Sequence, residues 1–281
     1  MGRHYVPRLY LRGFADERER LWAFDRRTKK EFCSNIDNLA QETKFYPDEL
    51  EATFSQEIET PVAPILTAVR ARAGIRPQDK APIARYFAAQ LKRVPAGKKR
   101  YTATFPDVAR NAASAVSERI DALVEETPDL ADLGAKRKRE VSALIDRYVD
   151  DPPDEIWYDT LTPEKLDLMC EAIRSMRWRF FCVDDSADQF LTSDNPVFYF
   201  DALGLRHDDA ELSIPVSRDL VLCADRRRGG DLEFFPASPQ LVKEINRRTV
   251  RATTRFVFAH ANDSWVASFC YKEHPRLKSI R

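Results

Sequence analysis

A chain of 281 residues can hold one large domain or two ordinary ones, and it is long enough to bury a core without disulfide staples. Lys plus Arg and Asp plus Glu both count 45, so the net charge is zero; this argues against bulk electrostatic coating of nucleic acid and leaves a local basic patch open. The five scattered cysteines include no C-x-x-C pair, which points to reduced thiols in a cytoplasmic protein rather than a zinc site, and no apolar stretch has the length of a membrane span or the form of a signal peptide.

The first segment is His4-Tyr5-Val6-Pro7-Arg8-Leu9-Tyr10-Leu11-Arg12-Gly13-Phe14. Termini fray unless something ties them down, so this aromatic frame predicts a docked segment that carries His4, Arg8 and Arg12 into the fold. Arginine offers a planar fork for phosphate or carboxylate and histidine titrates near neutral pH, a grouping that suits an anionic ligand. Read structurally, the same segment is a docked terminus with solvated arginines. Residues 21–25 and 31–33 flank a polar 26–30 and predict a β-hairpin, and 35–47 reads as a loop.

Helices follow. From Asp48, the apolar positions Leu50, Phe54, Ile58, Val62, Ile65, Leu66 and Val69 keep helical spacing. Pro61 and Pro64 lack an amide donor and are expected to kink or break that helix. Pro82 suits the first turn of the next helix, which carries Ile83, Tyr86, Phe87, Gln90 and Leu91 and ends at Pro95 and Gly97. Residues 108–125 and 135–148 are two further helices, 149–154 is a linker, and Thr162-Pro163 starts a helix that runs through Met176. Beyond Arg177, strands are expected at 178–183, 189–192, 197–200, 211–216, 220–224, 255–259 and 265–270, with one helix at 239–249. The fold class is α+β: an N-terminal hairpin, a central helical bundle and a C-terminal, mostly antiparallel sheet with one or two helices. Residues 1–281 read as a single domain that can be subdivided into 1–150 and 155–281.

Four clusters carry candidate chemistry. Ser193-Asp194-Asn195-Pro196 joins two strand-like runs; it is either a tight turn or a carboxylate, an amide and hydroxyls gathered at a strand end, with Asp194 as base, metal ligand or orienter of a histidine. Glu57 and Glu59, two apart on a helix, do not share a face, and Glu59 beside the apolar Val62 is the inward choice. Gln90, Lys92 and Arg93, with Lys98, Lys99 and Arg100 close behind, form the densest basic cluster; it suits phosphate, or else a helix C-terminus that prefers cations. Arg226-Arg227-Arg228-Gly229-Gly230 reads as an exposed hairpin loop. Eight glycines supply neither a Walker loop nor G-x-G-x-x-G, and there is no G-x-S-x-G or H-E-x-x-H.

The opening His4-Tyr5-Val6-Pro7 with Tyr10-Leu11-Arg12 and Phe14 resembles the start of a bacterial family known as domain of unknown function 4238. The 21–24 strand, Ile58-Glu59, Gln90, Arg93-Val94-Pro95, Trp178 and Phe190-Leu191-Thr192-Ser193-Asp194-Asn195-Pro196 follow in the same order, so the resemblance covers most of the chain. Where the family pattern has Gln after the first proline, this chain has Arg8, and no amide-specific role attaches there. The resemblance implies an architecture and a residue set, and no reaction.

Two functions fit these residues. The first is a phosphodiester hydrolase acting on nucleic acid. His4 and either Asp194 or Glu59 would do acid–base or metal work, with Mg²⁺ or Mn²⁺ compatible. Arg8, Arg12 and Arg93 would hold phosphate, while Gln90, Ser193 and Asn195 would orient the substrate. The second is a non-catalytic module that binds a nucleotide, a nucleic acid or a protein, with the same groups used for recognition. The first reading requires that His4 and Asp194 border one hollow.

Overall fold

The computed structural model describes residues 2–184, 189–274, 277, 279 and 280. The chain forms two compact units: Met1–Ala96 together with Thr160–Arg281, and Gly97–Asp159. The division does not follow the 149–154 linker, because the chain beyond Thr160 builds its strands onto those at the start.

In the first unit the chain runs β1 (Gly2–His4), α1 (Arg8–Leu11), β2 (Arg20–Asp25), β3 (Lys30–Asn35), β4 (Gln41–Thr43), α2 (Asp48–Thr53), a π-helical segment (Phe54–Glu59), α3 (Thr60–Arg70) and α4 (Lys80–Arg93). The 35–47 stretch expected as a loop therefore contains a strand, β4, which pairs antiparallel with β1. Pro61 and Pro64 do not end the helix. Pro61 lies in the first turn of α3, where an amide is not needed, and Pro64 is carried inside it. The π-helical segment stands just before them. Leu50, Phe54, Ile58 and Val62 recur every four residues, more than the 3.6 of an α-helix, and the wider i→i+5 turn keeps all four on the buried side.

After Arg93 the chain enters α5 (Pro95–Glu126), α6 (Ala131–Val149) and α7 (Asp154–Asp159), which make up most of the second unit. Pro95 begins a helix instead of closing one: its missing amide costs nothing at a first position. At Gly134 of α6 an added Cβ would come within 2.8 Å of the Val124 side chain of α5, so the glycine permits close helix packing.

The first unit then resumes with α8 (Pro163–Arg174), β5 (Arg177–Cys182), β6 (Thr192–Ser193), β7 (Phe198–Tyr199), β8 (Glu211–Ser217), β9 (Leu220–Asp225), β10 (Glu233–Pro236), α9 (Pro239–Ala252), β11 (Phe256–Ala259) and α10 (Ser264–Tyr271). The α+β class holds, but the strands form two larger sheets. One has the order β10-β5-β9-β8-β7 and is antiparallel except at β10–β5; the other, β3-β2-β11-β6, joins the early hairpin to strands from the far part of the chain. Strand β10 was not expected. Residues 265–270, expected as a strand, are helical: Val266 and Cys270, four apart, are buried together, and Trp265 and Phe269 meet edge to face at 5.9 Å. A six-residue apolar run is ambiguous between the two periods, and packing selected the helix.

The opening segment is docked as expected. Tyr5, Val6, Tyr10, Leu11 and Phe14 are buried, and the Tyr10 hydroxyl reaches the Pro215 carbonyl at 2.6 Å and Thr192 Oγ1 at 2.8 Å. Arg70 donates from its guanidinium to the carbonyls of Leu9, Tyr10 and Val216 and fastens the segment from the other side.

Candidate functional site

Most of helix α4 is buried, and its last turns bury even Gln90 and Arg93, at 0 % and 1 % exposure. Tyr86, Gln90 and Arg93 stand at i, i+4 and i+7 and so share one face. The π-helical segment brings Glu59 against this face. Both terminal nitrogens of Arg93 donate to the same Glu59 oxygen, Oε1, at 2.8 Å, and the guanidinium lies 4.8 Å from the centroid of Phe54. Glu59 is the inward member of its pair, as its apolar neighbours suggested, while Glu57 is exposed. Burial works against the charge of Arg93, but Glu59 and its other neighbours outweigh it and the guanidinium is held above its ordinary range.

Around this ion pair, polar atoms are buried without partners. Among the described residues the Tyr86 hydroxyl, both Oε1 and Nε2 of Gln90 and Nε of Arg93 make no hydrogen bond, and elsewhere Nε2 of His4 makes none either. Each such group costs roughly 1–3 kcal/mol if nothing meets it. Tyr46 links His4 to the cluster. Its hydroxyl donates to the His4 carbonyl at 2.8 Å, its ring meets Phe54 edge to face at 5.4 Å, and the charges acting on it are those of Arg93, Glu51 and Glu59. Burial pushes both tyrosine hydroxyls upward, so they are neutral donors at physiological pH. Burial also lowers the pKa of His4, and Arg8 lowers it further, which favours a neutral imidazole.

The other predicted residues lie elsewhere. Arg8, at the start of α1, and Arg12, just past its end, form exposed ion pairs with Asp37 at 2.9 Å and Glu19 at 2.7 Å. Asp194 sits where β6 leaves its sheet. Its Oδ1 accepts from the Thr254 amide at 2.8 Å, and its Oδ2 accepts from the amides of Arg255 at 2.6 Å and Phe256 at 2.9 Å. Burial outweighs these amides and pushes its pKa up to about 6. Asn195 donates from Nδ2 to the Ala252 carbonyl at 2.8 Å, and its amide donates to Ser193 Oγ at 3.1 Å. The Ser193-Asp194-Asn195 turn thus clamps the end of α9 to the start of β11, and its carboxylate is engaged by main chain, not by His4. Glu59, Gln90 and Arg93 are brought together, while His4 meets Tyr46 only through its main-chain carbonyl and its imidazole faces Ile36, Asp37 and Arg8.

Tyr46 and Tyr86 were not singled out in the sequence. Tyr86 was findable, since a helix that buries Gln90 and Arg93 on one face must present residue 86 there too. Among the described residues, no group of three or more His, Cys, Asp or Glu side chains is placed to hold a metal ion. Nor, among them, is any helix long and apolar enough to cross a membrane.

Fold and site together define an α+β protein whose interior keeps an ion pair beside a row of unpartnered hydrogen-bonding groups. Residues 3–263 match the family model described as protein of unknown function (DUF4238), and the chain belongs to that family. No curated protein and no solved structure matches it.

Proposed function

We propose that this protein is a binding module that recognises a nucleotide or the end of a nucleic acid through the Tyr86–Gln90–Arg93 face of α4. The observation that carries this reading is the set of buried, unpartnered atoms on that face, above all the two ends of the Gln90 amide. A side-chain amide with donor and acceptor both free complements an edge that carries an acceptor beside a donor, as nucleobase edges do. The Tyr86 hydroxyl and Arg93 Nε add one neutral and one charged donor. Glu59, with about a quarter of its side chain exposed, marks the side from which a ligand enters.

The test is a thermal-shift and calorimetry series with nucleosides, nucleotides and short oligonucleotides on wild type and Gln90→Leu. Wild type should be stabilised by at least one member, by RT ln(1 + [L]/Kd), and the variant should lose that shift while folding normally. An unchanged melting temperature of wild type across the whole series would overturn the reading.

One observation favours phosphodiester hydrolysis as a second reading. Arg93 takes only Oε1 of Glu59, so Oε2 is left for a water or a substrate hydroxyl. Labelled RNA and DNA incubated with wild type, Glu59→Gln and His4→Ala, with and without Mg²⁺ or Mn²⁺, separate the two. Cleavage lost in Glu59→Gln supports hydrolysis; binding without cleavage leaves recognition alone.

A further inference from the structure

A second feature of the first unit lies at the opposite end of α4. Lys80, in the first turn, borders a cleft of about 400 Å³ whose other cations are Arg177, Arg226, Arg227 and Arg228. That volume lies within the range of small-ligand sites, about 300–1,000 Å³. The carboxylates on the same walls are Asp208 and Asp231, so five cations face two anions.

The partners of these cations leave much of the charge unanswered. Asp231 compensates Lys80, accepting from Nζ at 2.9 Å, and is held in turn by the Trp178 amide at 2.7 Å. Asp225 is shared by two guanidiniums, those of Arg177 at 2.7 Å and Arg179 at 2.8 Å. Arg226 meets neutral groups only: the carbonyls of Leu205 and Ala172, at 2.7 and 3.0 Å, and the Ser175 hydroxyl. Arg227 and Arg228 are exposed, and their side chains make no hydrogen bond or ion pair among the described residues.

The loop that presents them is built, not loose. The segment was expected to close a hairpin, but β5 lies between β9 and β10, so it crosses the end of a strand. The Arg227 amide donates to Asp225 at 3.0 Å, and Arg177 Nη1 donates to the Arg228 carbonyl at 3.1 Å. Gly229 lets the loop settle there, with φ at +137°, and a Cβ at this position would stand 2.8 Å from Arg177 Nη1.

We propose that this cleft is a phosphate-binding site, taking the phosphates of a free nucleotide or of a nucleic-acid strand. Arg226 and Arg177 form its fixed floor, and Arg227 and Arg228 are the mobile-headed donors that close on the anion. This inference is independent of the Gln90 cluster and stands if that cluster binds nothing.

The experiment measures binding of sodium pyrophosphate and of a short single-stranded oligoribonucleotide by calorimetry, over a salt series. Wild type is compared with the double variant Arg227→Gln/Arg228→Gln, whose replaced side chains hold no part of the fold. Binding of both probes, weakened about tenfold or more in the variant, supports the site with free phosphate as its source. Binding of the oligonucleotide alone supports it with a strand as the source, provided that the variant lowers the log–log salt slope by about 1.4, roughly 0.7 for each lost phosphate contact on a single strand. Failure of wild type to bind either probe, or equal binding by wild type and variant, would overturn it.

Discussion

Asp194 and Arg93 are both charged side chains sunk into the first unit, and the fold treats them in opposite ways. Around Asp194, three main-chain amides converge on one carboxylate, and the neighbouring Asn195 and Ser193 close the turn with bonds of their own. Around Arg93, one glutamate oxygen answers the charge while Gln90, Tyr86 and the Arg93 Nε are left with nothing to meet. The carboxylate of Asp194 is met on both oxygens and positions main chain, although Asn195 Oδ1 beside it has no partner among the described residues. The Arg93 cluster holds several buried groups unmet, at a cost in stability that a bound molecule would remove.

The largest test of this contrast is Asp194→Ala. It removes the acceptor of three main-chain amides in part-buried surroundings, and urea unfolding should show a loss of about 2–4 kcal/mol. A loss below about 1 kcal/mol would mean that the turn is not what joins α9 to β11.

Next in size is a pH effect. Asp194 has its pKa raised to about 6 in the folded chain, above the ordinary carboxylate value of about 3.9, so the fold binds more protons than the unfolded chain between these values. Its contribution is fully present below about pH 4 and declines as pH rises to about 6. Asp25 works the other way. The Arg255 guanidinium holds its carboxyl well below the usual range, so its contribution is present above about pH 4 and is lost as pH falls further. In Asp194→Asn the decline between pH 4 and 6 should disappear while the acid limb persists; a profile identical to wild type would remove Asp194 as its source.

Gln90→Leu should be smaller and opposite in sign: replacing a buried amide that nothing meets by an apolar group of similar size should raise stability by about 1–2 kcal/mol. A loss matching that of Asp194→Ala would erase the contrast and make the cluster a water-completed structural network. Tyr86→Phe is the smallest, with a gain of about 1 kcal/mol expected because the buried hydroxyl it removes has no partner.

Much of the fold was legible where local rules act alone. The hairpin of β2 and β3, the helix begun by Thr162-Pro163 and the strands β8 and β9 follow from alternation, capping and proline placement. The π-helical segment was written in the four-residue spacing of Leu50, Phe54, Ile58 and Val62, but that spacing also fits an ordinary helix with a drifting face. Helix α10 was not legible, because six apolar residues satisfy either period until a neighbour is in place. For the site, Glu59 stood out by its apolar neighbours, and Gln90 and Arg93 as members of the densest basic cluster; that they are buried with Glu59 was not legible. The difference between Asp194 and Arg93 could not be read, since it turns on whether Thr254, Arg255 and Phe256, some sixty residues further on, lend their amides.

The position of β11 between β2 and β6 sets a timetable for biosynthesis. The hairpin leaves the ribosome early, but the strand that covers its inner edge follows some 230 residues later, and translation at about 5–20 residues per second makes that wait roughly 10–50 s. Throughout that interval β2 presents an unpaired row of amides and carbonyls to solvent or to a chaperone, so nascent chains arrested before residue 256 should be the aggregation-prone form of this protein.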